Sequence, residues 1–234
     1  MSDLVLYEID GPVGTITLNR PEARNALTFE MYDRVAEICA APSADGGVKA
    51  LIVTGAGQKA FAAGTDISLF KDFKEPKDAL AYEERIEKAL TAIETSPVPT
   101  IAAISGACTG GGAALGNCLS MANYARLVAM IGAGRVLDMV VTARLTDAVT
   151  AKAIGLVSEV VPDHAAVMAR AKELAATIAG HAPITIQTTK EALRRLRQGR
   201  RDDEDLIVRA YMSEDFREGQ VAFLGKRRPE WKGR

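Results

Sequence analysis

Histidine, tryptophan and cysteine are scarce in this 234-residue chain, which has two, one and three of them. Two histidines, His164 and His181, cannot supply a His-rich metal cluster. Cys39, Cys108 and Cys118 are odd in number and widely spaced, which suits neither a disulfide framework nor a zinc site. There is no excess of charge: 29 basic side chains face 30 acidic ones, leaving a formal charge of −1. That balance argues against a nucleic-acid groove or an anionic membrane surface as a partner. No apolar run approaches the ~18 residues of a membrane span. The opening MSDLVLYEID has neither the basic-then-apolar layout of a signal peptide nor the Arg/Ser bias of a transit peptide. What is there is ordinary globular composition, 48% apolar and 25% charged, enough for a sizeable core. A soluble, cytoplasmic, single-domain α/β protein is the expectation.

Leu4 to Ile9 and Val13 to Leu18 cluster β-formers around Asp10-Gly11-Pro12, which predicts a hairpin. Asn19-Arg20-Pro21 breaks the second strand, and Thr28 can cap a helix running to about Cys39. Lys49 to Gly55 reads as a buried strand followed by a glycine turn. Leu80, Ile86, Leu90 and Ile93 recur at helical spacing among the charges of Lys77 to Thr95. Ser96-Pro97-Val98-Pro99 ends that helix, and Thr100 to Ser105 is a short buried strand. From Asn117 onward nearly everything except Ser158 to Val161 has helical character. Thr146 and Asp163 are plausible caps, Ala182-Pro183 opens a helix, and further helices cover Asp203 to Met212 and Glu214 to Leu224. Strand-rich first and helix-rich second is the pattern of α+β layering or of a core with a helical appendage, and with no linker between the halves one domain with a helical C-terminal subdomain is expected.

Two glycine-bearing turns follow buried strands: Ala60 to Ile67, and Ser105 to Gly112 with its Gly110-Gly111-Gly112 triplet. Small residues at strand ends let a ligand approach the backbone closely. Where such a loop opens a helix, free N–H groups and the positive end of the dipole favour a developing negative oxygen. Taken alone, the triplet reads first as letting a helix pack tightly on a sheet. No GKS or GKT follows it, and no G-x-G-x-x-G follows any strand, so a phosphate-cradling loop is not indicated. Gly132-Ala133-Gly134 lies between helices and reads as a turn.

Conventional catalytic groups are few. His164 and His181 fall at helix ends, where solvated or capping roles are the rule. The basic run from Lys190 to Arg201 reads as a solvated helix face. Cys108 lacks a basic neighbour in sequence and reads as a small buried residue.

Several blocks in order resemble the enoyl-CoA hydratase/isomerase (crotonase) family: Asn19-Arg20-Pro21, Arg24-Asn25-Ala26-Leu27, AFAAGTDI, and the P-x-x-A-x-x-x-G…GGG pattern of Pro99 to Gly112. Thr142 to Leu145, Ala153 to Val157 and Phe223 to Pro229 extend the resemblance over nearly the whole chain. It implies a spiral of ββα units over residues 1–180, with a helical C-terminal subdomain over residues 181–234 that builds homotrimers or hexamers. It also implies an acyl-CoA substrate whose thioester oxygen sits between two backbone N–H donors. Matched by position, those donors are Thr65 and Gly111. Thioester chemistry at the α carbon passes through an enolate, and each preorganised donor contributes ~3 kcal/mol toward stabilising it. The resemblance further places coenzyme A contacts at Arg24, Ala26, Ala63, Asp66, Ile67, Phe223 and Lys226, the lysine meeting a phosphate as a flexible point charge. It implies no metal and no tightly bound cofactor; coenzyme A enters as part of the substrate.

Two departures bear on the chemistry. Hydratases of the family carry a glutamate two residues after the triplet, where this chain has Ala114, and alanine cannot shuttle a proton. The family then continues with a strand, a loop and a second acid, whereas here Ala113-Ala114 runs straight into Leu115-Gly116-Asn117. An apparent missing segment of roughly 20 residues is therefore expected at the 114/115 junction. Asn117 and Cys118, in place of the family's glycine-rich turn, are polar candidates for contact with substrate, or simply a repacked turn. The implied activity is enoyl-CoA hydration, with double-bond isomerisation, thioester hydrolysis and a non-catalytic coenzyme A-binding scaffold as alternatives.

Overall fold

The structure, a computed structural model, describes residues 3–109 and 119–234. Two strands, β1 (Val5–Asp10) and β2 (Val13–Leu18), form an antiparallel hairpin in which Val5 pairs with Leu18 and Asp10 with Val13. Alternation along β2 buries Ile16 and Leu18 and leaves the residues between them half-exposed. Thr28 then caps helix α1 (Phe29–Ala40), its hydroxyl accepting from the Met31 N–H at 3.3 Å. The chain returns as β3 (Ala50–Gly55), parallel to β2, and after α2 (Pro76–Thr95) as β5 (Thr100–Ala103), parallel to β3. The sheet order is β1-β2-β3-β5.

β3 is central, and its alternate residues feed two separate cores. Leu51 joins Ile16, Met31, Val35 and Ile38 under α1. Ala50 and Ile52 point the other way and meet Ala171 and Ala175 of α6 (His164–Ala179). Those alanines stand one helical turn apart, so the helix lies close against the sheet. The expected cap is present, with the Asp163 carboxylate accepting from the Ala166 N–H at 2.8 Å.

A second, two-stranded parallel sheet escaped the sequence reading, which saw only turns there. It pairs β4 (Ala60–Ala62) with β6 (Ala107–Cys108). Each strand is too short to show a period, so only the tertiary pairing reveals it. Gly106 makes the pairing possible, because its φ is +70° and a Cβ there would lie 2.4 Å from the Lys59 carbonyl oxygen. Cys108, expected to be buried, is exposed on this small sheet.

The rest is helical: α3 (Met121–Ile131), α4 (Ala133–Thr142), α5 (Ala148–Ala153), α7 (Pro183–Arg197), α8 (Glu204–Tyr211) and α9 (Glu214–Leu224). Asp147, not Thr146, caps α5. α7 is tied to the strand-rich part by Lys190, whose ammonium donates to the Ser96 and Val98 carbonyls, each at 2.8 Å. The C-terminal tail folds back: buried Asp215 accepts from the Lys232 and Gly233 N–H groups, and the Trp231 indole donates to Gly180 O at 2.7 Å. Among the described residues no helix is long and apolar enough to cross a membrane. The 114/115 junction lies outside the described residues.

Candidate functional site

The site is assembled on residues 20–27. After the 3-10 turn Pro21–Ala23, Arg24 and Asn25 both adopt left-handed backbone, with φ of +52° and +55°. Asparagine tolerates that region better than most residues. The Asn25 side chain, fully buried, accepts from the Arg20 N–H at 3.0 Å and donates to the Ala56 and Ala60 carbonyls at 3.0 and 2.7 Å. One buried amide therefore joins the 20–27 segment to the chain entering β4.

Arg20 makes the second joint. Its guanidinium Nη1 donates to the Ala26 carbonyl at 2.7 Å and to the Asp66 carboxylate at 3.0 Å. Asp66 also caps the 3-10 turn Ile67–Asp72 through the Ser68 N–H and hydroxyl. The Ser68 bonds, and then Arg20, hold the Asp66 carboxyl below the usual carboxylate range. Asp66 is thus an anchored, ionised acceptor that orients the turn.

Between these joints the backbone is bridged. Leu27 N–H donates to Gly64 O at 2.8 Å, and Asp66 N–H donates to Leu27 O at 2.9 Å. In such a parallel bridge the intervening residue directs its own N–H and C=O to the opposite edge. Thr65 is that residue, and no described residue accepts from its N–H. Gly64, at φ +85°, supplies the turn that leads into it. Three residues earlier the Ala62 carbonyl accepts from Thr109 N–H at 3.0 Å, so the described part of the second glycine turn ends beside the first.

The Thr65 hydroxyl belongs to a hydroxyl chain. Tyr82 donates to its Oγ1 at 2.9 Å, and Tyr32 lies 2.8 Å from the same oxygen. Burial raises both phenols above their ordinary range, so they act as neutral hydroxyls. Phe70 and Phe73 wall Tyr82 in, with ring centroids 5.0 and 5.9 Å away. Thr65, Gly64 and both tyrosines open on a cavity of about 290 Å³, whose remaining lining is mostly apolar, including Leu27, Val53, Ile86 and Leu90. Glu83 and Asn123 also line it.

Of the residues singled out from the sequence, Arg24, Ala26, Ala63, Thr65, Asp66 and Ile67 lie on the two segments that the Leu27–Thr65 bridge joins, and Thr65 is the one of them that lines the cavity. Phe223 and Lys226 sit at the end of α9 and just past it, joined to this group by no hydrogen bond or ion pair among the described residues. Phe223 is 82% exposed. Gly111, Asn117 and Cys118 lie outside the described residues, as does Ala114. His164 is no isolated cap: its Nδ1 is 3.0 Å from Ser105 Oγ, linking α6 to the end of β5. Among the described residues no group of three or more His, Cys, Asp or Glu could hold a metal.

Sequence reasoning missed Tyr32, Tyr82 and Glu83. Glu83 left a readable signal, because it falls at i, i+3, i+7 and i+10 spacing with Ile86, Leu90 and Ile93, a charge on the apolar stripe of its helix.

Comparison with known proteins places the chain in a family. The family model described as enoyl-CoA hydratase/isomerase matches residues 8–126 and 114–234. The two stretches overlap around the 114/115 junction. A short-chain-enoyl-CoA hydratase of Clostridium acetobutylicum is 29% identical, with 96% of this chain and 97% of the relative covered. That alignment spans 252 positions, more than the 234 residues of this chain, so the relative carries residues that this one lacks. Among solved structures, an enoyl-CoA hydratase/carnithine racemase from Magnetospirillum magneticum superposes with a TM-score of 0.91 at 30% identity, covering 100% of this chain and 97% of the other. An enoyl-CoA hydratase from Bacillus anthracis superposes with a TM-score of 0.88 at 28% identity, covering 99% and 100%.

Proposed function

Since the chain belongs to the enoyl-CoA hydratase/isomerase family, we propose that it processes acyl-CoA thioesters through an enolate, with hydration of 2-enoyl-CoA as its reaction. The observation that carries this reading is the Thr65 N–H, which no described residue accepts from, at the rim of an apolar cavity. A thioester oxygen placed against that donor gains most as it becomes anionic, because the dipole is already aligned. Gly111 N–H is the second donor in this reading. The acyl chain occupies the cavity beside Leu27 and Leu90. Coenzyme A, entering as part of the substrate, runs past Arg24, Ala26, Ala63, Asp66 and Ile67 toward Phe223 and Lys226. Asn117 and Cys118 are polar candidates for the acyl end. A cytoplasmic setting suits the free Cys39 and Cys108.

Purified protein is expected to hydrate crotonyl-CoA at more than about one turnover per second, within the common range for enzymes. Tight binding of the ester with no turnover on any enoyl-CoA would replace this reading with a coenzyme A-binding scaffold. Ala114, in the place of the family's glutamate, is the feature favouring that second reading.

The assembly is proposed to be a homotrimer or a hexamer. Leu137 and Val141 of α4, Tyr211 of α8, Met212 next to it, and Val221 and Leu224 of α9 are each more than half exposed. Large apolar side chains exposed on this scale mark a contact between proteins. Light scattering should give a mass near three or six times the 24.9 kDa chain. A monomer at micromolar concentration would refute the assembly.

A further inference from the structure

Enoyl-CoA hydration needs a group to move a proton between water and the α carbon, and position 114 holds alanine. The acids nearest the site are committed elsewhere. Asp66 is bound to Ser68 and Arg20. Asp33 is paired with Arg85, and Glu87 with Arg126 at 2.6 Å. Glu83 differs in three ways. It is the only acid lining the 290 Å³ cavity among the described residues. It makes no hydrogen bond or ion pair with any described residue. It also follows Tyr82, whose hydroxyl donates to Thr65, and its charge is felt at both the Tyr32 and Tyr82 phenols. Burial, and then the like charge of Glu87, lift its carboxyl above the usual carboxylate range. Such a group holds a proton more readily than an exposed glutamate.

We propose that Glu83 is the proton carrier of this site. It is half-buried on α2, one turn before Ile86, and faces the same space as the Thr65 N–H. As the water oxygen bonds to the β carbon, the Glu83 carboxylate takes one proton from that water. The C=C π pair moves toward the thioester, whose oxygen becomes anionic against Thr65 N–H. The Glu83 carboxyl then returns its proton to the α carbon and ends ionised, as it began. One O–H bond and one π bond break; one C–O and one C–H bond form. No co-reactant beyond water and the enoyl thioester is required.

This rests on the enoyl-CoA reading above, and the test keeps the two apart. Wild type and Glu83→Gln are assayed for crotonyl-CoA hydration, and for exchange of the α protons of butyryl-CoA in deuterium oxide by mass spectrometry. Glu83→Gln is expected to lose about 10²–10⁴-fold in kcat and to lose exchange, with unchanged crotonyl-CoA affinity and melting temperature. Glu84→Gln, at the exposed neighbouring position, is expected to behave as wild type. Full hydration and exchange in Glu83→Gln would overturn the assignment while leaving the enoyl-CoA reading intact. Loss of binding or folding in that isosteric variant would assign Glu83 a structural role and equally overturn it. A wild type that neither hydrates nor exchanges would remove the function itself.

Discussion

Thr65→Pro is expected to lower crotonyl-CoA hydration by about 10²–10³-fold, the effect of removing one oxyanion donor. The change deletes the N–H while sparing the bridge to Leu27, because that bridge uses Gly64 O and Asp66 N–H. Proline therefore removes no main-chain hydrogen bond between described residues, though it also removes the hydroxyl that Tyr32 and Tyr82 meet. Thr65→Ala is the control: it keeps the N–H but removes the hydroxyl that Tyr32 and Tyr82 meet. It should lose far less activity, with a stability cost of about 1 kcal/mol from the abandoned hydroxyl contacts. Steady-state kinetics on both variants, with circular dichroism to establish folding, separates main chain from side chain. Equal losses in the two would place the function in the hydroxyl chain, and full activity in folded Thr65→Pro would dismiss the donor.

Asn25→Ala is expected to destabilise the protein by about 3 kcal/mol, because buried groups left without partners each cost about 1–3 kcal/mol. Three bonds disappear together, leaving Arg20 N–H and the Ala56 and Ala60 carbonyls unsatisfied around a fully buried position. Alanine is also less at ease at φ +55°. For a chain of this size the melting temperature should fall by roughly 6–12 °C. Calorimetry reads this directly, and a drop of under about 2 °C would show that Asn25 is not the joint described here. Activity should fall with stability, since the Gly64–Asp66 backbone hangs on Leu27, in the segment that Asn25 and Arg20 hold.

Much of the fold was readable before any coordinates. Thr28 and Asp163 cap their helices as their side chains and following periodicity indicated. The hairpin and the continuous apolar run of β3 were likewise local signals. Less was readable where spacing is short or polarity misleads. β4 and β6 are too brief for a period, Cys108 is exposed where a buried thiol was expected, and Asp147 displaces Thr146 as cap because its carboxylate is the group in reach of Thr150 N–H. In the site, the family blocks pointed to the Thr65 N–H as a donor without revealing that Leu27 bridges its neighbours and leaves it without a described acceptor. Glu83 stands out in the sequence only as a charge on the apolar stripe of its helix, and the cavity beside it gives that position a use.

The sequence by itself determined the main-sheet strands, most of the helices and the family, since caps, glycine turns and hydrophobic periods act over a few residues and blocks such as AFAAGTDI are contiguous in the chain. Only the tertiary structure decided which groups are left to act. Whether the Thr65 N–H is paired depends on Leu27, 38 positions away, bridging its neighbours instead. Whether a carboxylate is neutralised depends on partners equally remote, Arg20 for Asp66 and Arg126 for Glu87, with none among the described residues for Glu83. Pairing between distant segments leaves no periodic trace in a chain, because its energy arises only when those segments meet.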